Sequence, residues 1–471
     1  MLFNSIHFLW FFAVVWAAAA ATRRWPTARK LLILAASAFF YGYWDARFLV
    51  LLGGSTVIDW LCGLGFARTE SDRARRGILI VSLVANLGTL AFFKYFGFFV
   101  DSAKELLSGF GVGGSWGPTM EVVLPVGISF YTFQTLSYSI DVFRRRIPVE
   151  RSLLDFALYV GFFPQLVAGP IVRASEFLEQ TKRAPMLGWL QQSVGLQLVI
   201  WGLFKKCVVA DNAAPAVDAL FAAESVGVVL RVVAVLAFSM QIYCDFSGYS
   251  DIARGLAKML GYEFPINFER PYFARDPSEF WRRWHITLST WLRDYLYIPL
   301  GGNRGSAPAT HRNLMWTMVL GGLWHGAAWN FVLWGVFHGA LLVFYRIVSL
   351  DRWARTWLGR VVFLSLIAYG WLLFRAESIS QIGAWSRPTL DAPLAGLGAL
   401  SSVSVAALVL AMVGSVVVLV WDVVHERTAP ELELPTLRWS VPTQVAVLLV
   451  LYVAIGTMGR FGTDEFIYFQ F

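Results

Sequence analysis

Charge is scarce in this sequence. Asp, Glu, Lys and Arg make up 15% of its 471 residues, where a soluble domain carries about 25%. That shortage excludes an ordinary soluble globular protein, and no stretch is long and polar enough to form a soluble domain beside the rest. Cysteine is scarce too. Cys62, Cys207 and Cys244 show no pair spacing, which argues against a disulfide framework and against a zinc site; no metal is expected. Several catalytic signatures are missing. There is no G-x-S-x-G elbow, and "DFSGYSD" does not supply one; there is no P-loop and no H-E-x-x-H. No internal repeat is visible. The N-terminal stretch "FNSIHFLWFFAVVWAAAAATRRW" has no basic residue before its apolar run. A cleaved signal peptide carries its charges there, so this stretch reads as a retained first span.

What the chain does have is hydrocarbon. It is 57% hydrophobic, with mean hydropathy +0.58, and apolar runs recur from Ile6–Ala21 to Val441–Met458. The reading is an all-α polytopic membrane protein, a single domain over residues 1–471 with roughly ten to twelve membrane helices. Runs broken by Gly or Pro, as in "LPVGISFY" and "FFPQLVAGPIV", fit re-entrant or kinked helices around a cavity. Twenty-one tryptophans suit the two membrane interfaces. The net charge of +8 is assigned to cytoplasmic loops and not to nucleic acid. Arg23, Arg24, Arg29 and Lys30 follow the first span, which puts the N-terminus outside; Arg68–Arg76 and Arg144–Arg151 mark further inside loops. Residues Glu263–Ser306 mix aromatics with charges and read as interfacial helices on the cytoplasmic side. Residues 459–471 form an aromatic tail that closes on "FIYFQF".

Three of the six histidines, His285, His325 and His338, lie in or beside apolar or aromatic segments. An ionisable group at membrane depth is costly and points to function. His325 sits in "VLGGLWHGAAWNFVLWGVFHG", where small residues clear space around it for a substrate or for another helix. A neutral imidazole there has the form of a general base; a core histidine bonded to a neighbouring helix is the plainer alternative. His285 lies in "EFWRRWHITLSTWLRDYLY". On a helix, Trp281 and Trp284 flank it while Arg282 and Arg283 face headgroups or an anionic ligand. His338, thirteen residues after His325, falls about 220° around a continuous helix and reads as structural. Asp245 and Asp251 are expected to pair with arginines of the following interfacial stretch. In "PLGGNRGS", free backbone N–H groups, Asn303 and Arg304 are suited to a phosphate, or the loop is a plain connection.

At "FWRRWHITLSTWLRDYLYIPLGGNRG" and "GGLWHGAAWNFVLWGVFHG" the sequence resembles the membrane-bound O-acyltransferase (MBOAT) family, and more narrowly its bacterial branch that O-acetylates alginate and peptidoglycan. "LPVGISFYTFQTLSYSIDVFRR", "FFPQLVAGPIVR", "QIYCDFSGYSDIARG" and "FIYFQF" fit the same branch. The resemblance implies tilted helices around a central cavity, with the family's essential histidine at His325 and its tryptophan-flanked histidine at His285. It implies a cytoplasmic thioester donor, acetyl-CoA or an acyl carrier protein, and a polysaccharide acceptor beyond the bacterial inner membrane. It also implies a periplasmic SGNH-hydrolase-like partner.

The expectation is therefore an acetyltransferase subunit without a bound cofactor. His325 is its general base, and His285 positions the donor or polarises its carbonyl. Trp281, Arg282, Arg283, Trp284, Asn303 and Arg304 are the candidate donor site. Transfer of D-alanine or another acyl group, and a membrane transporter, stand as alternatives. The tail has two readings. It is an interfacial anchor, or Tyr468 carries the acyl group: one fixed histidine cannot touch both sides of roughly 30 Å of hydrocarbon, whereas a tethered phenol can.

Overall fold

A computed structural model describes residues 1–110, 123–166, 169–387, 392–429, 432–462 and 467. The helices used below are α1 Ile6–Ala21, α2 Pro26–Asp45, α3 Phe48–Ala67, α4 Asp72–Leu90, α5 Phe96–Gly109, α6 Ile128–Phe143 and α7 Leu153–Gly161. They continue with α8 Trp189–Leu203, α9 Asp211–Ala222, α10 Val228–Met259, α11 Pro277–Arg283, α12 Ile286–Leu292 and α13 Ala307–His325. The series ends with α14 Trp329–Val348, α15 Trp357–Arg375, α16 Ser402–Thr428 and α17 Val441–Met458. No strand occurs among the described residues. The chain is an all-helical, multi-pass membrane protein. Eight of its described helical segments are long and apolar enough to cross a bilayer. Shorter apolar elements such as α1 and the nine-residue α7 complete the bundle.

Two local rules shape the bundle. Backbones approach where both helices carry glycine: a Cβ on Gly202 of α8 would lie 2.6 Å from Gly248 O of α10, and one on Gly255 of α10 would lie 2.5 Å from Gly195 O. The two pairs are seven residues apart on each helix, so α8 and α10 lock along a seam of small residues. Long helices also widen into single π-turns at Ala91–Tyr95 and Phe204–Ala210, where lysines enter the interior. Such turns mark strain that a function usually explains.

Most loops read as cytoplasmic meet at one end of the bundle. Lys30 pairs with Asp155 at 2.5 Å, Arg173 with Asp294 at 2.7 Å, and the Arg29 guanidinium bonds Leu260 O. The start of the chain, Tyr43, Trp44, Phe461 and Gly462 line an apolar cavity that also reaches Leu256 and Met259 of α10.

The apolar run Leu314–Phe344 is not one helix. Gly326 and Ala328 are extended, and the chain folds into a hairpin so tight that a Cβ on Gly322 would meet Phe331 O at 2.2 Å. The stretch 263–306 also departs from surface helices. Its helices α11 and α12 have seven residues each, and Phe280, Trp284, His285 and Leu288 are buried in the core.

Candidate active site

The break between α11 and α12 builds the first half of the site. Trp284 is extended, and His285 takes a left-handed backbone (φ 43, ψ 54). A non-glycine residue at positive φ stores strain that surrounding bonds must hold, and here Asn267 holds it. Its main-chain oxygen accepts Ile286 N–H at 2.9 Å. Its side-chain Oδ1 accepts Thr287 N–H at 3.3 Å and the Thr287 hydroxyl at 2.9 Å. The main-chain N–H of Thr287 can only donate, so the Asn267 amide orientation is settled. His285 Nδ1 lies 3.1 Å from that same Oδ1 and must donate to it. The neutral ring therefore carries its proton on Nδ1 and presents Nε2 as an acceptor. His285 Nε2 has no hydrogen-bond partner among the described residues.

The second half comes from the α13–α14 hairpin. His325 is the last residue of α13, 4% exposed. Lys94, from the first π-turn, donates to Trp324 O at 2.6 Å and His325 O at 3.1 Å, and Tyr95 donates to Leu323 O at 2.7 Å. A cation on the last carbonyls of a helix satisfies them and opposes the helix dipole. The His325 ring lies edge-on to Trp324 (5.1 Å between centroids), Trp334 (5.1 Å) and Phe374 (5.4 Å).

These rings bring the histidines together. Trp324 reaches His285 at 6.0 Å, and Trp334 reaches His338 at 4.7 Å. The expectation that His338 faces away from His325 assumed one continuous helix; the hairpin puts them on two antiparallel helices against the same tryptophan. Asp245 and Asp251 also depart from expectation. They pair with Lys206 at 2.6 Å and Lys205 at 2.5 Å, lysines of the second π-turn, and not with the arginines of the 263–306 stretch.

Two clefts flank the chamber. One, about 740 Å³, is lined by Trp281, Arg282, Arg283, Arg293, Glu279 and Arg355, among others. The other, about 540 Å³, is lined by Lys94, Asn330, Phe331, Arg375 and Glu377 among others. Arg355 lies between the end of α14 and the start of α15, whereas Phe331 and Arg375 lie at the opposite ends of those helices. The clefts thus open toward opposite ends of one antiparallel pair. A chain of rings joins them: Trp281–Trp334 at 5.6 Å, Trp334–His325 at 5.1 Å, His325–Phe374 at 5.4 Å and Phe374–Phe331 at 4.9 Å. His325 is its middle member.

Of the other expected site residues, Trp281, Arg282 and Arg283 line the first cleft. Trp284 is fully buried behind it, against Trp371 at 4.6 Å. Asn303 and Arg304 are exposed and are not among that cleft's lining residues. Tyr468 lies outside the described residues. Asn267, Thr287 and Lys94 escaped the sequence reading. A lone lysine inside "AFFKYFGFF" was the one available signal; nothing in "FPINFERP" marks Asn267.

Residues 128–379 match the membrane-bound O-acyltransferase family. The chain belongs to this family. It is 37% identical to the "Probable alginate O-acetylase AlgI" of Azotobacter vinelandii, over 94% of this chain and 95% of that protein. The protein of the same name from Pseudomonas aeruginosa is 40% identical over 82% of this chain and 76% of its own length. The "Peptidoglycan O-acetyltransferase" of Helicobacter pylori is 36% identical over 76% and 72% respectively. This membrane-bound O-acyltransferase is thus an enzyme of acyl transfer, embedded in a bilayer, and the matched region contains both His285 and His325.

Proposed function

We propose that the protein takes an acetyl group from a cytoplasmic thioester, acetyl-CoA or an acyl carrier protein, and passes it toward an extracytoplasmic polysaccharide, alginate-like or peptidoglycan. The observation that carries this reading is the chain of rings between two clefts at opposite ends of α14 and α15, with His325 at its centre. The arginine-lined cleft faces the cytoplasm of a bacterial inner membrane, and its guanidinium groups suit the phosphates of the donor. The second cleft faces the periplasm, where an SGNH-hydrolase-like partner completes transfer. The names of the relatives support the acetyl group and the glycan.

The chemistry proposed is a thioester attack with His325 as the base. The acceptor oxygen attacks the thioester carbonyl, its proton goes to His325, and the C–S bond breaks as the thiolate leaves. His325 then returns the proton to the thiolate, so the ring ends as it began. His285 presents an accepting Nε2, so a neutral ring suits orientation of an amide N–H on the donor arm. Polarising the carbonyl would need a second proton on that ring.

Tyr468 supplies the first acceptor oxygen. Its phenol, with an ordinary pKa near 10, forms an aryl ester at His325 and yields the acetyl group to the next hydroxyl. The buried position of Ile467, one residue before it, supports a tail that works inside the protein. Tyr468→Phe keeps the aromatic anchor and removes the hydroxyl. It should accumulate normally and leave the polysaccharide without O-acetyl groups; acetylation at the normal rate would end the relay. Ser278→Cys, in the arginine-lined cleft, should react with impermeant thiol reagents from the cytoplasmic side, and labelling from the periplasm would invert the scheme.

A further inference from the structure

Under the start of the C-terminal tail lies a buried ion cluster that neither the histidines nor the two clefts use. Lys206 Nζ is 2.6 Å from Asp211 Oδ1 and 2.6 Å from Asp245 Oδ1, and the three side chains are 1–3% exposed. One lysine bridges the two carboxylates. Buried charge is costly unless donors converge on it. Asn4 Nδ2 donates to Asp211 Oδ2 at 3.2 Å. The main-chain N–H of Ile467, a residue 3% exposed, donates to Asp245 Oδ2 at 2.8 Å.

The π-turn that carries Lys206 also grips the chain where it leaves α17. Cys207 O accepts Arg460 N–H at 3.1 Å, and Asn212 Nδ2, one turn on, donates to Met458 O at 2.8 Å and Val208 O at 3.0 Å. Asn4, Phe461 and Gly462 line the same apolar cavity.

We infer that the Lys206–Asp211–Asp245 triad is an internal receptor for the chain's own C-terminal segment, seating Ile467 by accepting its main-chain N–H on the Asp245 carboxylate. The seat lies beside the chemistry. Phe246, the residue after Asp245, has its ring 4.5 Å from that of His285. A tail held at Asp245 is therefore one residue from the histidine chamber. The purpose of the seat rests on the acyl-relay reading, but its existence is a matter of position and can be tested without catalysis.

The test uses the full-length protein in membranes, with Cys62, Cys207 and Cys244 replaced by Ala and Ile467→Cys as reporter. The reporter thiol leaves the main-chain N–H of that position in place and should be protected from an impermeant thiol reagent. Adding Asp245→Ala should raise its labelling rate at least tenfold; Asp245→Asn, which keeps an oxygen acceptor, should give an intermediate rate. If Asp245→Ala fails to accumulate, Asp245→Asn alone serves, and it should still label several-fold faster than the parent. A reporter thiol equally protected in these variants, or reactive with the triad intact, would overturn the inference. Tyr468→Phe should leave the reporter protected whether or not it acetylates glycan, so failure of the relay and failure of the seat give different results.

Discussion

His285 and His325 are both almost free of solvent and both touch Trp324, yet the chain holds them in opposite ways. His285 is gripped by its ring: Asn267 fixes the Nδ1 proton and Thr287 fixes Asn267. His325 is gripped by its backbone: Lys94 caps its carbonyl while other rings surround its imidazole. A ring locked by a hydrogen bond is set to orient a partner. The function proposed above gives the proton to His325 and the orientation to His285, and variants of each can separate the two roles.

The largest effect should come from testing that division directly. His325→Ala should lower acetylation by about 10²–10⁴-fold, the usual worth of a general base, at normal protein level. His285→Ala should lower it less and raise the KM for the donor. Equal losses with unchanged KM for both variants would erase the distinction.

The next effect tests how His285 is held. Asn267→Leu removes the acceptor of the Nδ1 proton and frees the ring to turn. Misplacement of a reacting group by about 1 Å costs up to 10²-fold, so a loss of roughly ten- to a hundredfold is expected, with the pH–rate profile displaced. Asn267→Asp keeps an acceptor and should recover part of the rate. An unchanged pH profile in Asn267→Leu would make Asn267 merely structural.

Lys94→Met tests the other grip. It removes the donor to the Trp324 and His325 carbonyls but leaves the ring contacts. Losing a helix-end cation costs about 0.3–1 kcal/mol, so the thermal midpoint should shift by a few degrees at most while activity falls about tenfold. A full loss of activity would mean that Lys94 touches substrate.

These two grips also mark where the sequence stopped being readable. Helices, membrane class and the two histidines were legible because each leaves a local pattern: apolar runs, and a titratable group set among small or aromatic residues. The break at His325–Ala328 was not, because "HGAAWN" carries no proline and its flanks are equally apolar. Only the close approach of Gly322 to Phe331 shows why the chain turns there. The Asn267–His285 contact spans eighteen residues and joins an extended segment to a left-handed one, which no periodicity encodes. The partners of Asp245 and Asp251 were misjudged for a related reason. Sequence proximity favoured the nearby arginines, whereas a π-turn forty residues earlier rotates Lys205 and Lys206 inward.

The smallest effect contrasts His285, held by the neutral Asn267 amide, with the arginine-lined cleft, held by charge. Glu279 accepts from Arg275 at 3.0 Å and from Arg283 at 2.9 Å, and Arg283 also reaches Glu426 at 3.3 Å. Burial alone would raise the Glu279 carboxyl; the hydrogen bonds from Arg275 and the charge of Arg283 more than offset it and hold the group below its ordinary value. A depressed carboxylate contributes stability that is complete above the usual glutamate pKa, about 4.3, and is lost as pH falls through the lower folded value. The cleft should therefore be insensitive to pH between 7 and 5, and any change in rate across that range belongs to the chamber. Glu279→Gln removes the charge that spaces the two arginines. It should raise the donor KM about two- to fivefold, with kcat unchanged. Thermal unfolding of the purified protein should lose part of its fall below pH 4.5. If Glu279→Gln unfolds with the same acid dependence as the parent, Glu279 is not the group that couples the cleft to pH, and Asp294, also held below its ordinary range despite partial burial, by Arg293 and Arg173, is the next to replace.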